Sequence, residues 1–228
     1  MQHTINSIAI VQSPYTQKFG IPRQPQLVLA ARVCIVFHAN ISPDSVRGLE
    51  GFDYIWVQFL FHDVLDEGWA AMVRPPRLGG KKKMGVFATR SPHRPNHLGL
   101  SLLKLEKIEI EYGCVRLWCS GADLLDGTPV FDIKPYIPFV EARLEARAGF
   151  AVEPPPQLSV MWLPESHVDG LSPDLRDLIE QSIAQDPRPA YQDDPERIYV
   201  MDIAGYRISF RIQAKMAWIL AANLFQAA

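Results

Sequence analysis

Residues 85–101 read GVFATRSPHRPNHLGLS, and this stretch holds two arginines, two histidines, two prolines, an asparagine and three hydroxyls between apolar flanks. Near its end only Leu98 and Leu100 read as core. Three other clusters have the same polar, stiff character: Ile21-Pro22-Arg23-Gln24-Pro25, Phe61-His62-Asp63, and Asp123-Leu124-Leu125-Asp126-Gly127-Thr128-Pro129 followed by Asp132-Ile133-Lys134-Pro135-Tyr136. Each could bind a polar ligand, and each also has a bland reading as an exposed turn or a strand end. The charge distribution adds weight to the first reading. From Gly68 to Leu105 there is no acidic residue, while Arg74, Arg77, Lys81, Lys82, Lys83, Arg90, Arg94 and Lys104 supply eight positive charges. A net charge of −2 therefore leaves −10 for the rest of the chain. Such asymmetry allows a phosphate-binding surface on an acidic average, the alternative being a solvated loop kept soluble by its lysines.

Other chemistries lack their residues. His93 and His97 stand four apart like a helical metal pair, but Pro92, Pro95 and Gly99 argue against a helix there, so no metal site is expected. No G-x-G-x-x-G follows a strand, and G-x-x-x-x-G-K-[ST], H-E-x-x-H and G-x-S-x-G are missing. Leu78-Gly79-Gly80-Lys81 has neither the spacing nor the following hydroxyl of a phosphate loop. Cys34, Cys114 and Cys119 are odd in number and form no C-x-x-C, so they read as free thiols. The start, MQHTINSIAIVQ, lacks the layout of a signal peptide, and apolar runs such as MAWILAANLF fall well short of the ~20 residues of a membrane span. These features predict a cytoplasmic protein.

The elements that must hold the clusters are mostly strands. Ser7–Gln12, Arg32–His38, Phe52–Phe61, Met84–Thr89, Leu102–Tyr112, Val115–Ser120 and Val130–Ile133 are rich in branched and aromatic residues between turn formers. A phase slip near Glu106 and Lys107 predicts a bulge. Residues 42–49 read as one short helix with Ser42 as N-cap and Pro43 at the first position. Many short strands favour a sandwich or barrel. Residues 142–157, ending in three prolines, read as a linker after a first domain over 1–141. Over 158–228, Leu175, Leu178, Ile179 and Ile183 share a helical face capped by Ser172, and Arg197–Ile203 and Tyr206–Ile212 read as strands, which makes a small α+β domain.

Beyond this pattern, Thr89-Arg90-Ser91-Pro92-His93-Arg94-Pro95-Asn96 resembles the signature of the TrmO (TsaA-like, YaeB) family of tRNA methyltransferases. The resemblance continues in order through Ser13-Pro14-Tyr15, Pro22-Arg23-Gln24-Pro25, Arg47-Gly48-Leu49-Glu50, Arg74-Pro75-Pro76-Arg77-Leu78-Gly79-Gly80, Asp126-Gly127-Thr128-Pro129-Val130, Asp132-Ile133-Lys134-Pro135-Tyr136 and Gln185-Asp186-Pro187-Arg188-Pro189-Ala190-Tyr191. His97 departs from the family's usual proline, and Ser91-Pro92-His93 is a segment that varies among members.

The resemblance implies a mostly β protein: a non-Rossmann, β-barrel SAM-binding domain followed by the small C-terminal α+β domain. It implies methyl transfer from S-adenosylmethionine (SAM) to N6 of threonylcarbamoyladenosine at tRNA position 37, by a homodimer with the cofactor near the subunit interface. By positional match Pro22, Arg23, Gln24, His62, Asp63, Arg90, Leu100, Leu125, Asp126, Gly127 and Thr128 would contact SAM. An arginine, Arg90 or Arg23, can grip its carboxylate, and Asp63 or Asp126 its ammonium or ribose. Asp126 is the first choice to accept the N6 proton, with Asp63, His62 and Tyr136 as alternatives. Arg74, Arg77, Lys81, Lys82, Lys83 and Arg94 would follow the phosphates of the anticodon loop, and Arg188 and Tyr191 in the second domain would reach the active site or the RNA. Two other classes keep the same residues: a SAM-sensing RNA-binding protein without turnover, and a hydrolase of a nucleotide-like small molecule.

Overall fold

The structure, a computed structural model, describes residues 3–166, 170–189, 192 and 194–225. Strands β1 (Ala9–Gln12), β2 (Val33–Phe37) and β3 (Tyr54–Leu60) come first, then a two-residue pair, β4 (Met72–Val73) and β5 (Met84–Gly85), then β6 (Leu98–Glu111), β7 (Cys114–Ser120) and β8 (Pro129–Pro135). Six of these close an antiparallel barrel in the order β1-β2-β7-β6-β3-β8. Period-two alternation drives the closure. Ala9, Val11, Val33, Ile35, Phe37, Ile55, Val57, Phe59, Leu103, Val115, Leu117, Cys119 and Val130 all face one buried cluster. Strand β6 is long enough to pair with β3 through its first half and β7 through its second, and its register slips between Leu105 and Lys107. That is the bulge expected from the phase of its apolar residues. Gly99 on β6 lies under the Phe59 ring, where any β-carbon would collide with it.

After a short helix α1 (Pro138–Glu141), a second cluster is built by β9 (Ser159–Trp162), helix α2 (Pro173–Ala184) and strands β10 (Ile198–Ile203), β11 (Tyr206–Gln213) and β12 (Met216–Leu224). The sheet order is β10-β11-β12-β9, with β9 parallel to β12. Ser172 caps α2 by accepting the Leu175 amide, with Pro173 at the first position as expected. Leu178, Ile179 and Ile183 pack on Met201, Ile208, Phe210 and Ile219.

This second core is not made by the C-terminal residues alone. Tyr15, Val28 and Ala31, from the long connection between β1 and β2, are buried in it, with Phe19 and Ile21 packed against it. The Tyr15 hydroxyl, fully buried, meets Ser182 Oγ at 2.9 Å, and the Ala204 amide donates to Pro14 O at 2.7 Å. Gly20, with φ +97°, brings its backbone so close to Met201 that a side chain would not fit.

Local expectations needed correction in places. Met84–Thr89 is not one strand: β5 ends at Gly85 and residues 86–88 form a 3-10 turn. The helix expected over 42–49 is two 3-10 turns, at 43–46 and 49–51, although Ser42 does cap the first. Leu100 faces outward at 55% exposure, because on β6 it is Gly99 and Ser101 that point in. The edge strand β9 and the closing strand β12 have no counterpart in the sequence reading.

Candidate active site at the barrel mouth

Strand register gathers the polar clusters. Pairing of Gln12 with Cys34, Leu60 with Leu98, and Ala9 with Val130 places the ends of β1 and β3 and the starts of β2, β6 and β8 at one mouth of the barrel. The connection 13–32, the turn after Leu60 with His62 and Asp63, the loop 86–97 and the loop 121–128 all open there. Tyr136 does not. Its amide donates to Tyr54 O at the start of β3, and its ring makes edge contacts with Tyr54 and Trp56. The seven residues of β8 separate it from the mouth by roughly 20 Å at the usual rise per residue.

At the mouth, the turn Leu125–Thr128 is held from three sides. Thr128 Oγ1 donates to Leu125 O at 2.7 Å, the Gly127 amide to Val11 O at 2.9 Å and the Asp126 amide to Tyr15 O at 2.8 Å. Exposed Asp126 accepts the Ser13 amide on Oδ1 at 2.8 Å. His62 lies beside this turn, its Nε2 4.0 Å from where a β-carbon on Gly127 would stand. Asp63 pairs with Lys18 Nζ at 3.0 Å, and Glu67 takes the same ammonium at 3.1 Å. Burial works to lower the Lys18 pKa, but these two carboxylates hold it above its ordinary value.

The arginines differ in what they hold. Arg90 Nη1 donates to Gln24 Oε1, and Gln24 Nε2 donates in turn to Arg23 O. Arg23 Nη2 donates to Arg188 O at 2.8 Å and Asp186 O at 3.4 Å. Both two-pronged ways of gripping a carboxylate use Nη2, so Arg90, whose Nε–Nη2 edge is open among the described residues, is the better placed fork. Pro22 is buried and Arg94 braces its own loop through Thr89 O and Ser91 O, both at 3.4 Å. Arg188 is fixed on Asp186, Nε to Oδ1 at 2.8 Å and Nη2 to Oδ2 at 2.8 Å. Tyr191 lies outside the described residues.

Arg74, Lys81, Lys82 and Lys83 are exposed and show no ion pair or hydrogen bond among the described residues. Arg77 donates to Glu153 O, which draws the segment after α1 toward the basic loop. A cavity of about 500 Å³ lies between them, lined by Leu78, Lys82, Met84, Ala88, Ala148, Gly149 and Phe150.

Asp123, named in its polar cluster but given no role there, is a further candidate. It accepts from buried Ser101 Oγ at 2.6 Å. Burial pushes its pKa up to about 6, against the opposing effects of the Ser101 bond and the Arg90 charge. An ionisable group set between core residues Ala122 and Leu124 was the available signal. Gln26 was passed over by the sequence reading; its Nε2 donates to Leu102 O at 3.1 Å and its amide to Gly121 O at 2.8 Å, tying the β1–β2 connection to the mouth.

A closed antiparallel barrel whose mouth gathers polar loops, a half-buried carboxylate and an arginine with one edge open among the described residues defines a class: a barrel with a loop-lined polar mouth, unlike the glycine turn of a parallel sheet. Comparison with known proteins makes it particular. Residues 10–142 match the tRNA-methyltransferase O N-terminal domain, and residues 155–223 match the TrmO C-terminal domain. The chain belongs to the TrmO family. It is 65% identical over 170 residues to a tRNA (adenine(37)-N6)-methyltransferase of Eikenella corrodens, covering 75% of this chain and 96% of that one. With the tRNA (adenine(37)-N6)-methyltransferase of Escherichia coli K12 it shares 41% identity over 214 residues, 90% and 91% of the two chains. The crystal structure of TrmO from Pseudomonas aeruginosa superposes with a TM-score of 0.80 at 36% identity, over 97% of this chain and 98% of the other.

Proposed function

We propose that this chain methylates N6 of adenosine 37 in tRNA, with threonylcarbamoyladenosine as the acceptor and SAM as the donor. Family membership supports the tRNA adenine-37 methyltransferase activity. The observation that supports the donor site is Arg90 at the mouth, with only Nη1 engaged among the described residues, near half-buried Asp123; Arg74 and Lys81–Lys83 are exposed and without partners among the described residues. These residues fit the donor chemically. Arg90 takes the carboxylate, the turn 125–128 and His62 border the nucleoside, and exposed Leu100 offers an apolar face to the base.

SAM supplies an electrophilic methyl on a sulfonium. The rest falls to the chain. Its loops hold the acceptor nitrogen in line with the methyl, and as the N–C bond forms and the C–S bond breaks, a proton leaves N6. Asp126 receives it: this carboxylate is exposed, and only its Oδ1 is held, by the Ser13 amide. Asp63, tied to Lys18, orients rather than accepts. Tyr136 reaches a mouth only from a second subunit, in keeping with a homodimer. Exposed Phe139 (85%), Leu144 (100%) and Phe87 (76%) give such a dimer apolar surface to cover. The anticodon loop presents its base unpaired, so no duplex need be opened, and the enzyme works in the cytoplasm beside its tRNA.

The test is mass spectrometry of nucleosides after incubating the protein with labelled SAM and either unmodified or threonylcarbamoylated tRNA. Label in N6-methyl-threonylcarbamoyladenosine is expected. SAM binding without transfer would instead favour a sensor, and methylation of unmodified adenosine alone would remove the carbamoylated acceptor.

A further inference from the structure

The C-terminal core grips the connection 13–31 by more than apolar packing. Gln181 Oε1 accepts the Ala30 amide at 3.0 Å, and Gln185 Nε2 donates to Leu27 O at 3.2 Å. Buried Tyr15 and Ser182 meet at 2.9 Å. From the turn after α2, the carbonyls of Asp186 and Arg188 hold Arg23 Nη2, Arg23 O holds Gln24 Nε2, and Gln24 Oε1 holds Arg90 Nη1. This is an unbroken series of hydrogen bonds from the second core to the guanidinium at the barrel mouth. Asp186 is itself fixed with φ +49°, and its carboxylate is occupied by Arg188, so the turn that presents the two carbonyls is a set conformation.

We propose that the C-terminal domain is the positioning element of the donor site, setting Arg90 through Arg23 and Gln24, so that Arg23 is a tie and not a ligand of the donor's carboxylate. The inference rests on the reading that Arg90 holds that carboxylate. Its physical basis is preorganisation. An exposed arginine samples many rotamers, and fixing one Nη on a braced glutamine leaves the opposite edge aimed before ligand arrives. A domain that only contacted RNA would have no need of these ties to the β1–β2 connection.

Calorimetric titration of the full chain with SAM and with 5′-methylthioadenosine, which lacks the amino-acid group, tests this. Arg23 and Arg90 are exposed, so their alanine variants should fold. Arg23→Ala is expected to weaken SAM binding about fivefold to tenfold, the scale of one ordinary hydrogen bond, and to leave 5′-methylthioadenosine binding unchanged. In an Arg90→Ala background the same substitution should then have almost no effect, because the tie has nothing to position. Pro187→Gly, which loosens the carbonyl-bearing turn without touching Arg23, should weaken SAM in the same selective way. A full Arg23 effect persisting without Arg90 would make Arg23 a direct ligand and overturn the proposal, as would wild-type SAM affinity in both Arg23→Ala and Pro187→Gly. Failure of the unaltered protein to bind SAM at all would instead refute the donor assignment, and the relay with it.

Discussion

Asp123 and Asp126 stand three positions apart in one loop and have opposite environments. Asp126 is exposed, its backbone and one oxygen pinned by Tyr15 O and the Ser13 amide. Asp123 is turned toward Ser101, and burial is the main cause of its raised pKa, about 6. The folded chain therefore keeps a proton that the unfolded chain releases near pH 4, so stability falls as pH rises through the window from about 4 to about 6 and stays lower above it. Asn at this position can still accept from Ser101 and carries no charge. Asp123→Asn should thus melt higher than the wild type at pH 7.5, by up to about 3 kcal/mol at 1.36 kcal/mol per pKa unit. The gain should vanish near pH 4. Thermal unfolding of both proteins across pH 4–8 checks this, and a gain independent of pH would mean that the carboxylate is not held in a desolvated state.

At the scale of elements, β6 carries the design of the mouth. Its alternation sends Ser101 inward to Asp123 and Leu100 outward, and Gly99 lets Phe59 lie flat against the strand where it leaves the 86–97 loop. Gly99→Ala should cost about 1–3 kcal/mol through overpacking against the ring. It should also disturb the 86–97 loop that immediately precedes it. Denaturant unfolding checks the first effect and SAM titration the second; an unchanged midpoint would show that Phe59 has room to move. The expectation that Met84–Thr89 forms a strand failed because only Met84 and Gly85 find a partner, Val73 and Met72, after which the loop turns tightly enough for Thr89 Oγ1 to reach Val86 O. A run of apolar residues states strand propensity, but a partner strand decides whether it is one.

On the whole molecule, charge separates along the surface. The acid-free stretch leaves Arg74 and Lys81–Lys83 without partners among the described residues, while Arg77 binds the segment after α1. Replacing Lys81, Lys82 and Lys83 together by Ala should weaken tRNA binding and flatten the log–log salt dependence by about 2, at roughly 0.7 per phosphate contact on single-stranded RNA. Filter binding between low and moderate salt measures the slope. An unaltered slope would return the lysines to the role of a solubilising loop.

The sequence alone determined the strand-rich character, the bulge in β6, the cap of α2 and the four polar clusters, since each depends on residues near one another in the chain. The family signature placed the clusters in one protein class without needing their geometry. Only the tertiary structure decided which clusters meet. Barrel register sent Tyr136 to the far end and brought Arg90, Gln24 and Asp123 together, and the second core captured Tyr15 and Val28 from more than a hundred residues upstream. Those outcomes turn on long-range pairing and on burial shared between distant segments, and no local pattern of residues encodes either.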